Sequence, residues 1–263
     1  MEYEGFLLEK KGSIAVLTLN RPEKLNAITK PMTLSYPRII EDVRKDDNII
    51  VLIITGAGRG FCAGEDLSQT AEGETDVRRL RLSYFTPPAA ILSGSLQALE
   101  KPTIAAVNGV AAGGGASLAV ACDIVIASEN ARFGFVQTKI GLIPSSGATF
   151  FLPRKVGISK AFELMYTGDV IDAREAEKIG LVSQVVPHDS LMNEATKLAE
   201  KLAQNPPIAL GLIKRALYRS LNNDLEHQVE FEDFAQRICR QTQDHEEGVK
   251  AYLEKRKPVF KGI

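Results

Sequence analysis

The residues best placed to do chemistry in this chain sit in two glycine-rich turns. The first, Gly113-Gly114-Gly115, follows a strand-like run from Thr103 to Val107 and opens a helix of small residues. Glycines let backbone approach a ligand with no Cβ in the way. The helix that follows leaves its first N–H groups without partners, so a negative charge or developing oxyanion in the turn is favoured. The second turn, GAGRGFCAGEDLSQ, follows the apolar run Ile49 to Thr55. A dinucleotide fingerprint needs glycine where Phe61 stands, and a phosphate loop needs Gly-Lys-Ser/Thr, so neither motif is present.

The other reactive residue types form no constellation. Cys62, Cys122 and Cys239 have no metal-ligand spacing, and an odd number argues against a disulfide framework. They read as small buried hydrophobes. His188, His227 and His245 are scattered, with no HxxxH pair, so no metal site is expected.

The elements that must position the turns follow from periodicity. Phe6 to Lys10 and Ile14 to Leu19 read as a hairpin about Lys11-Gly12. NRPEKLNAIT breaks the pattern, and a helix is expected from Lys30 to Lys45, with Leu34, Ile39, Ile40 and Val43 at helical spacing and Pro37 inside it. Ile49 to Thr55 fits a strand covered on both faces. Residues 70 to 99 begin as a charged, less regular segment and lead into a helix near Ala89 to Leu99; Tyr84 and Phe85 are candidates for lining a pocket or packing on the core.

Asp123 to Ala127 is a second apolar strand, and a loop then leads to another helix. Beyond Arg154 the chain turns helical: Lys160 to Tyr166, Ala173 to Ile179, a short strand in LVSQVVP, then Leu191 to Ala203, Ile208 to Asn222, Asp224 to Arg240 and His245 to Lys255. No internal repeat is visible. The order predicts an α/β core, residues 1–200, with a helical C-terminal region, residues 201–263.

Bulk properties narrow the function classes. With 263 residues and 44% apolar content, the chain can bury a sizeable core. Its net charge of -1 offers no basis for binding nucleic acid or an anionic membrane. The apolar runs fall far short of the roughly 18 residues of a membrane span. MEYEGFLLEKKG lacks a secretion-signal pattern, so a soluble, cytoplasmic protein is expected.

Several segments, in order and spacing, resemble the enoyl-CoA hydratase/isomerase (crotonase) family: NRPEKLNA, TGAGRGFCAGEDL, KPTIAAVNGVAAGGGASLAVACDIVIAS, FGFVQTKIGLIPSSGATFFLPRKVG, TGDVIDAREAEKIGLVSQVV and EGVKAYLEKRKPVFKG. The resemblance runs from about residue 5 onward. Within the family, GRGFCAGEDL, NGVAAGGGASLA, GLIPSSG and LGLIK look most like the 1,2-epoxyphenylacetyl-CoA isomerase branch.

The resemblance implies a crotonase-type spiral of ββα units with C-terminal helices that assemble a homotrimer or a dimer of trimers. It implies an acyl-CoA thioester substrate, with coenzyme A as part of that substrate and no permanently bound cofactor. Carried onto this chain, the two oxyanion donors fall at the backbone of Glu65 and Gly114. The CoA carrier falls along the Arg21, Lys24, Leu25, Asn26 segment and the backbone from Ala63 to Leu67 (Ala63, Glu65, Asp66 and Leu67), with Asp66 bracing the turn rather than reacting. The basic residues Lys255, Arg256, Lys257 and Lys261 are either a solvated tail or a reach to CoA phosphates from a neighbouring subunit.

The departures from the family matter as much. The family's hydratases place glutamates in GGGxE and FGxxE; here Ser117 and Gln137 occupy those positions. The epoxide isomerase branch places an aspartate in GLIPD; here it is Ser145. Neither serine nor a carboxamide titrates near neutral pH, so none can act as a general acid or base. Three readings follow: an isomerase or lyase working mainly through the oxyanion donors, with Ser117, Gln137 or Ser145 orienting substrate or water; a hydratase with a base from elsewhere (Glu65 or the 70–85 segment); and a non-catalytic acyl-CoA-binding protein or partner of an active paralogue.

Overall fold

The computed structural model describes residues 1–69 and 93–263. The chain opens with β1 (Glu2–Tyr3), β2 (Phe6–Lys11) and β3 (Ile14–Leu19), the last two forming the expected antiparallel hairpin. Helix α1 (Lys30–Lys45) is capped by the Thr29 hydroxyl, which accepts from the Met32 N–H, and it runs through Pro37. Its buried face is Met32, Tyr36, Ile39, Ile40 and Val43, whereas Leu34 points outward, contrary to the sequence expectation. Strand β4 (Val51–Gly56) lies parallel to β3, and β5 (Gly60–Cys62) follows it. Tyr84 and Phe85 lie outside the described residues. Of the helix expected near Ala89 to Leu99, the part described is α2 (Ser93–Ala98).

Next come β6 (Thr103–Val107), β7 (Val110–Ala112) and α3 (Gly114–Ala121), then β8 (Ile124–Ser128), β9 (Arg132–Gly134) and α4 (Ala148–Val156). Strands β4, β6 and β8 enter a seven-stranded sheet of order β1-β2-β3-β4-β6-β8-β11, where β11 is Gln184–Val186. Strands β5, β7 and β9 enter a four-stranded sheet of order β10-β9-β7-β5, where β10 is Val170–Asp172. Each pair of strands therefore steps from the large sheet to the small one before the chain turns helical. The repeat is one of topology: a three-residue strand leaves too little pattern to reveal it in the sequence.

Both faces of the large sheet are covered. Along β4, Leu52 and Ile54 face the main core, while Val51 and Ile53 face a second layer built on Leu191, Ala195 and Ala199 of α7 (Leu191–Ala203). Burial on both sides explains the unbroken apolar run. Helix α3 is buried all round, with every residue from Gly114 to Ala121 buried, so it has no polar face. Its small side chains allow that central position.

Helices α5 (Ile158–Thr167) and α6 (Ala173–Lys178) flank β10. Residue 200 lies within α7, whose Leu202 and Ala203 still pack on the large sheet. Helices α8 (Pro207–Ser220), α9 (Leu225–Cys239) and α10 (Gln243–Leu253) follow. One latch ties α8 to the core: the Lys214 ammonium, 7% exposed, lies 2.8 Å from Asp123 Oδ2, and the Tyr218 hydroxyl donates to Asp123 Oδ1 at 3.0 Å. No helix among the described residues is long and apolar enough to cross a membrane.

Candidate active site

Two loops run side by side to build the second glycine turn. The Ala63 N–H donates to Leu25 O (2.9 Å), the Ile28 N–H to Gly64 O (2.7 Å) and the Asp66 N–H to Ile28 O (2.9 Å). Residues 64 and 66 thus turn their polar groups toward Ile28, and the intervening N–H of Glu65 faces the other way. It makes no hydrogen bond among the described residues. Glu65 is the bridge partner of Ile28, and its side chain is exposed.

Asn26 shapes this loop pair, and sequence reasoning gave it no more than a place in the CoA-binding segment. Its side chain is 0% exposed and fully used: Oδ1 accepts from the Arg21 N–H at 2.8 Å, and Nδ2 donates to Ala57 O and Gly60 O at 2.9 and 2.8 Å. Leu25 and Asn26 both have positive φ, 49° and 59°, a strained region for residues with a Cβ. Asn108 adds a second lock, donating to Gly58 O and Gly60 O. Asn108 stands before Gly109, a pairing that signals a turn, whereas Asn26 lies between Leu25 and Ala27 and has no such neighbour.

Arg21 ties the loops together through 3.2 Å contacts from Nη1 and Nη2 to Asp66 Oδ2, and Nη1 also donates to Ala27 O. The Ser68 hydroxyl, and then the Arg21 guanidinium, hold the Asp66 carboxyl below the usual carboxylate range. Lys24 is exposed at the end of a short 3-10 turn, Leu25 and Ala63 are half-buried, and Leu67 is exposed.

The first glycine turn is pressed against the second. A Cβ on Gly64 would lie 2.9 Å from Ala112 O and 3.3 Å from the Gly114 nitrogen, and a Cβ on Gly115 would strike the Cys62 carbonyl. These two glycines are required by close approach. Gly113 gives its N–H to Gly134 O at 2.9 Å, which fastens the turn to β9. Gly114, the first residue of α3, has an N–H with no partner among the described residues. The two free donors, at Glu65 and Gly114, thus lie on neighbouring loops at the positive end of a buried helix.

The three positions expected to carry carboxylates part company here. Ser117 is buried, and its hydroxyl donates back to Gly113 O at 3.1 Å, one turn earlier in α3. Gln137, in the 3-10 turn Val136–Ile140, is 8% exposed, and its carboxamide faces the open side of Gly113: Nε2 is 3.8 Å from the place where a Gly113 Cβ would be. Neither Nε2 nor Oε1 of Gln137 has a hydrogen-bond partner among the described residues. A buried polar group left so costs about 1–3 kcal/mol. Ser145 is exposed in the turn before α4, with no side-chain hydrogen bond among the described residues.

Cys62 lies under the second turn, and burial pushes its thiol up to about 12; burial does the same to Cys122 at the far end of α3. Grooves of about 490 and 470 Å³ flank α8, but neither includes residues of the two glycine turns. Arg256 is engaged by Glu247 (2.6 Å) and Glu254 (2.6 Å).

Comparison with known proteins gives the family and the fold. Residues 9–263 match the family described as enoyl-CoA hydratase/isomerase. The chain is 41% identical to the 1,2-epoxyphenylacetyl-CoA isomerase of Escherichia coli, covering 98% of this chain and 99% of that protein. It is 40% identical to the short-chain-enoyl-CoA hydratase of Clostridium acetobutylicum, covering 98% and 97%. The crystal structure of an enoyl-CoA hydratase from Bacillus anthracis superposes with a TM-score of 0.91 at 36% identity, covering 98% of this chain and 100% of the other. The expected crotonase-type spiral of ββα units is borne out by that likeness and by the stepping of β4–β5, β6–β7 and β8–β9 between two sheets. The chain belongs to the enoyl-CoA hydratase/isomerase family and is an enzyme of that family.

Proposed function

We propose that this enzyme binds an acyl-CoA thioester with its carbonyl oxygen between the N–H groups of Glu65 and Gly114, and stabilises the enolate that forms there as an isomerase or lyase. Coenzyme A enters as part of the substrate, along Lys24, Leu25 and the Ala63–Leu67 segment. The observation that carries this reading is the pair of unbonded backbone donors on two loops locked together by Asn26, Gly64 and Gly115. Fixed donors need no reorganisation as charge develops on the oxygen, and each contributes about 10²- to 10³-fold in rate.

The neutral residues Ser117, Gln137 and Ser145 direct the reading away from water addition. Hydration requires a positioned acid and base, whereas a rearrangement or cleavage in which the enolate takes the electron pair of a breaking bond asks no side chain to remove a proton from carbon. The relative named as an isomerase supports the same choice. The relative named as a hydratase supports an alternative in which another residue supplies the base. The neutral residues also favour a second reading, acyl-CoA binding without turnover.

A panel of acyl-CoA thioesters followed by chromatography with mass detection, which separates an isomer from its substrate, tests the reading. The expected products have the mass of the substrate or are two fragments of it. A product that has gained water as the main species contradicts it, and tight binding with no product selects the second reading.

A further inference from the structure

We propose that Arg21 and Asp66 are a positioning pair: their contact fixes the direction of the Glu65 N–H, so both side chains act on turnover through that donor rather than by holding coenzyme A. The inference rests on the acyl-CoA reading above and deepens it, since the family resemblance puts both residues in segments that would carry CoA. Its basis is the meeting of the Arg21 guanidinium, the Asp66 carboxylate and the Ala27 carbonyl at the second glycine turn.

The direction of the donor is a property of one peptide plane. Gly64 O and the Glu65 N–H belong to the same trans peptide, so they point opposite ways. The Ile28 N–H holds Gly64 O at 2.7 Å, and this sets where the Glu65 N–H points. Gly64 itself does not resist rotation of that plane, having a φ of 98° and no side chain. The restraint comes from the segment alongside, and Arg21 grips it at both ends. Nη1 donates to Ala27 O at 2.7 Å, one residue before Ile28. Nη1 and Nη2 each lie 3.2 Å from Asp66 Oδ2, one residue after Glu65, and the Asp66 N–H donates to Ile28 O at 2.9 Å.

The same contacts leave little of either side chain for a ligand. The Arg21 and Asp66 side chains are 22% and 11% exposed. Asp66 Oδ1 accepts from the Ser68 hydroxyl at 2.6 Å and from the Ser68 N–H at 3.3 Å. The pair has no net charge to offer a phosphate, and a guanidinium that left Asp66 for one would strand a mostly covered carboxylate. A donor misplaced by about 1 Å costs up to about 10²-fold in rate. Such a loss appears in kcat, whereas a residue that grips the CoA carrier equally in ground and transition states appears in KM.

Steady-state kinetics of Asp66→Asn, Arg21→Met and the double variant, with a thioester that the parent turns over, test the proposal. Asparagine keeps Oδ1 for Ser68 but presents an NH2 group to a guanidinium that accepts nothing. Each single variant should lose about 10- to 100-fold in kcat, with KM and the calorimetric Kd within about 3-fold of the parent. The double variant should lose no more than the worse single one, as expected of two residues acting as a unit. Amide exchange should keep the protection of β4 and β6 and lose it only at the Ile28 and Asp66 N–H groups. A rise in KM with kcat retained overturns the proposal in favour of a grip on CoA, and so do unchanged kinetics. Loss of protection across β4 and β6 also overturns it, because the pair is then a general stabiliser. A parent that binds acyl-CoA without turnover overturns this inference alone, and a parent that binds none overturns the acyl-CoA reading itself.

Discussion

The backbone of Gly64 passes so close to Gly114 that a methyl group on Gly64 would lie 3.3 Å from the Gly114 nitrogen. That approach brings two N–H groups with no partner among the described residues, those of Glu65 and Gly114, onto adjacent loops. The loops are held by buried hydrogen bonds, so the donors are set before any ligand arrives.

The first prediction concerns the lock on that geometry. Asn26→Ala leaves the Arg21 N–H and the Ala57 carbonyl without their partner and places alanine at a φ of 59°. A loss of about 2–4 kcal/mol is expected in denaturant unfolding. A change below about 0.5 kcal/mol would mean that the loops are held by other contacts.

Water addition should be weak in the parent and recoverable. Each positioned acid or base contributes about 10²- to 10⁴-fold, and Ser117 and Gln137 provide neither. Ser117→Glu with Gln137→Glu should raise crotonyl-CoA hydration above the parent. Two neighbouring buried carboxyls should also raise the pKa of one of them, leaving one protonated as the acid and one ionised as the base, so the gain should fall once the pH passes the raised pKa. A parent that already hydrates crotonyl-CoA at the usual enzyme range of about 1–10³ per second contradicts the assignment of those positions.

Thiol reactivity reports on burial at the site. Cys62 and Cys122 are held up to about 12 by desolvation, so neither forms appreciable thiolate at pH 8. The half-buried Cys239 should be the one thiol titrated by a disulfide reagent in the native protein, with all three appearing in denaturant. Fast labelling of Cys62 in the folded protein would show that the second turn opens.

Legibility in the sequence divides along physical lines. Helix α1 and strand β6 were readable to the residue, because their apolar period or unbroken apolar run reflects burial. The small sheet was not, because its strands are three residues long and their pairing is set by the larger sheet beside them. The glycine turns stood out as motifs. That their backbones touch, and that Asn26 is fully enclosed, are long-range facts that no local pattern encodes. The orphaned state of Gln137 is of the same kind, since it depends on what surrounds the side chain.

Assembly should be a trimer or a dimer of trimers. Ile213, Leu217 and Leu221 line the groove of about 470 Å³ along α8, and Leu225, Val229, Phe234 and Leu253 are exposed on α9 and α10. A monomer leaves this much apolar surface in water, which is uncommon. Sedimentation at micromolar concentration should find no monomer, and a single monomeric boundary would rule the assembly out.

The most direct measurement is turnover of Gly114→Pro against Gly114→Ala, using whichever thioester the panel identifies. Proline is accepted at the first position of a helix but removes the N–H. Alanine keeps it, and among the described residues its Cβ meets Gly64 Cα at 3.9 Å and Ile28 Cδ1 at 4.0 Å, ordinary van der Waals contacts. If the two backbone donors carry the chemistry, the proline variant folds and loses at least about 10²-fold in turnover, while the alanine variant stays within a few-fold of the parent. A folded proline variant with unchanged turnover would contradict the proposal that these donors stabilise the oxyanion.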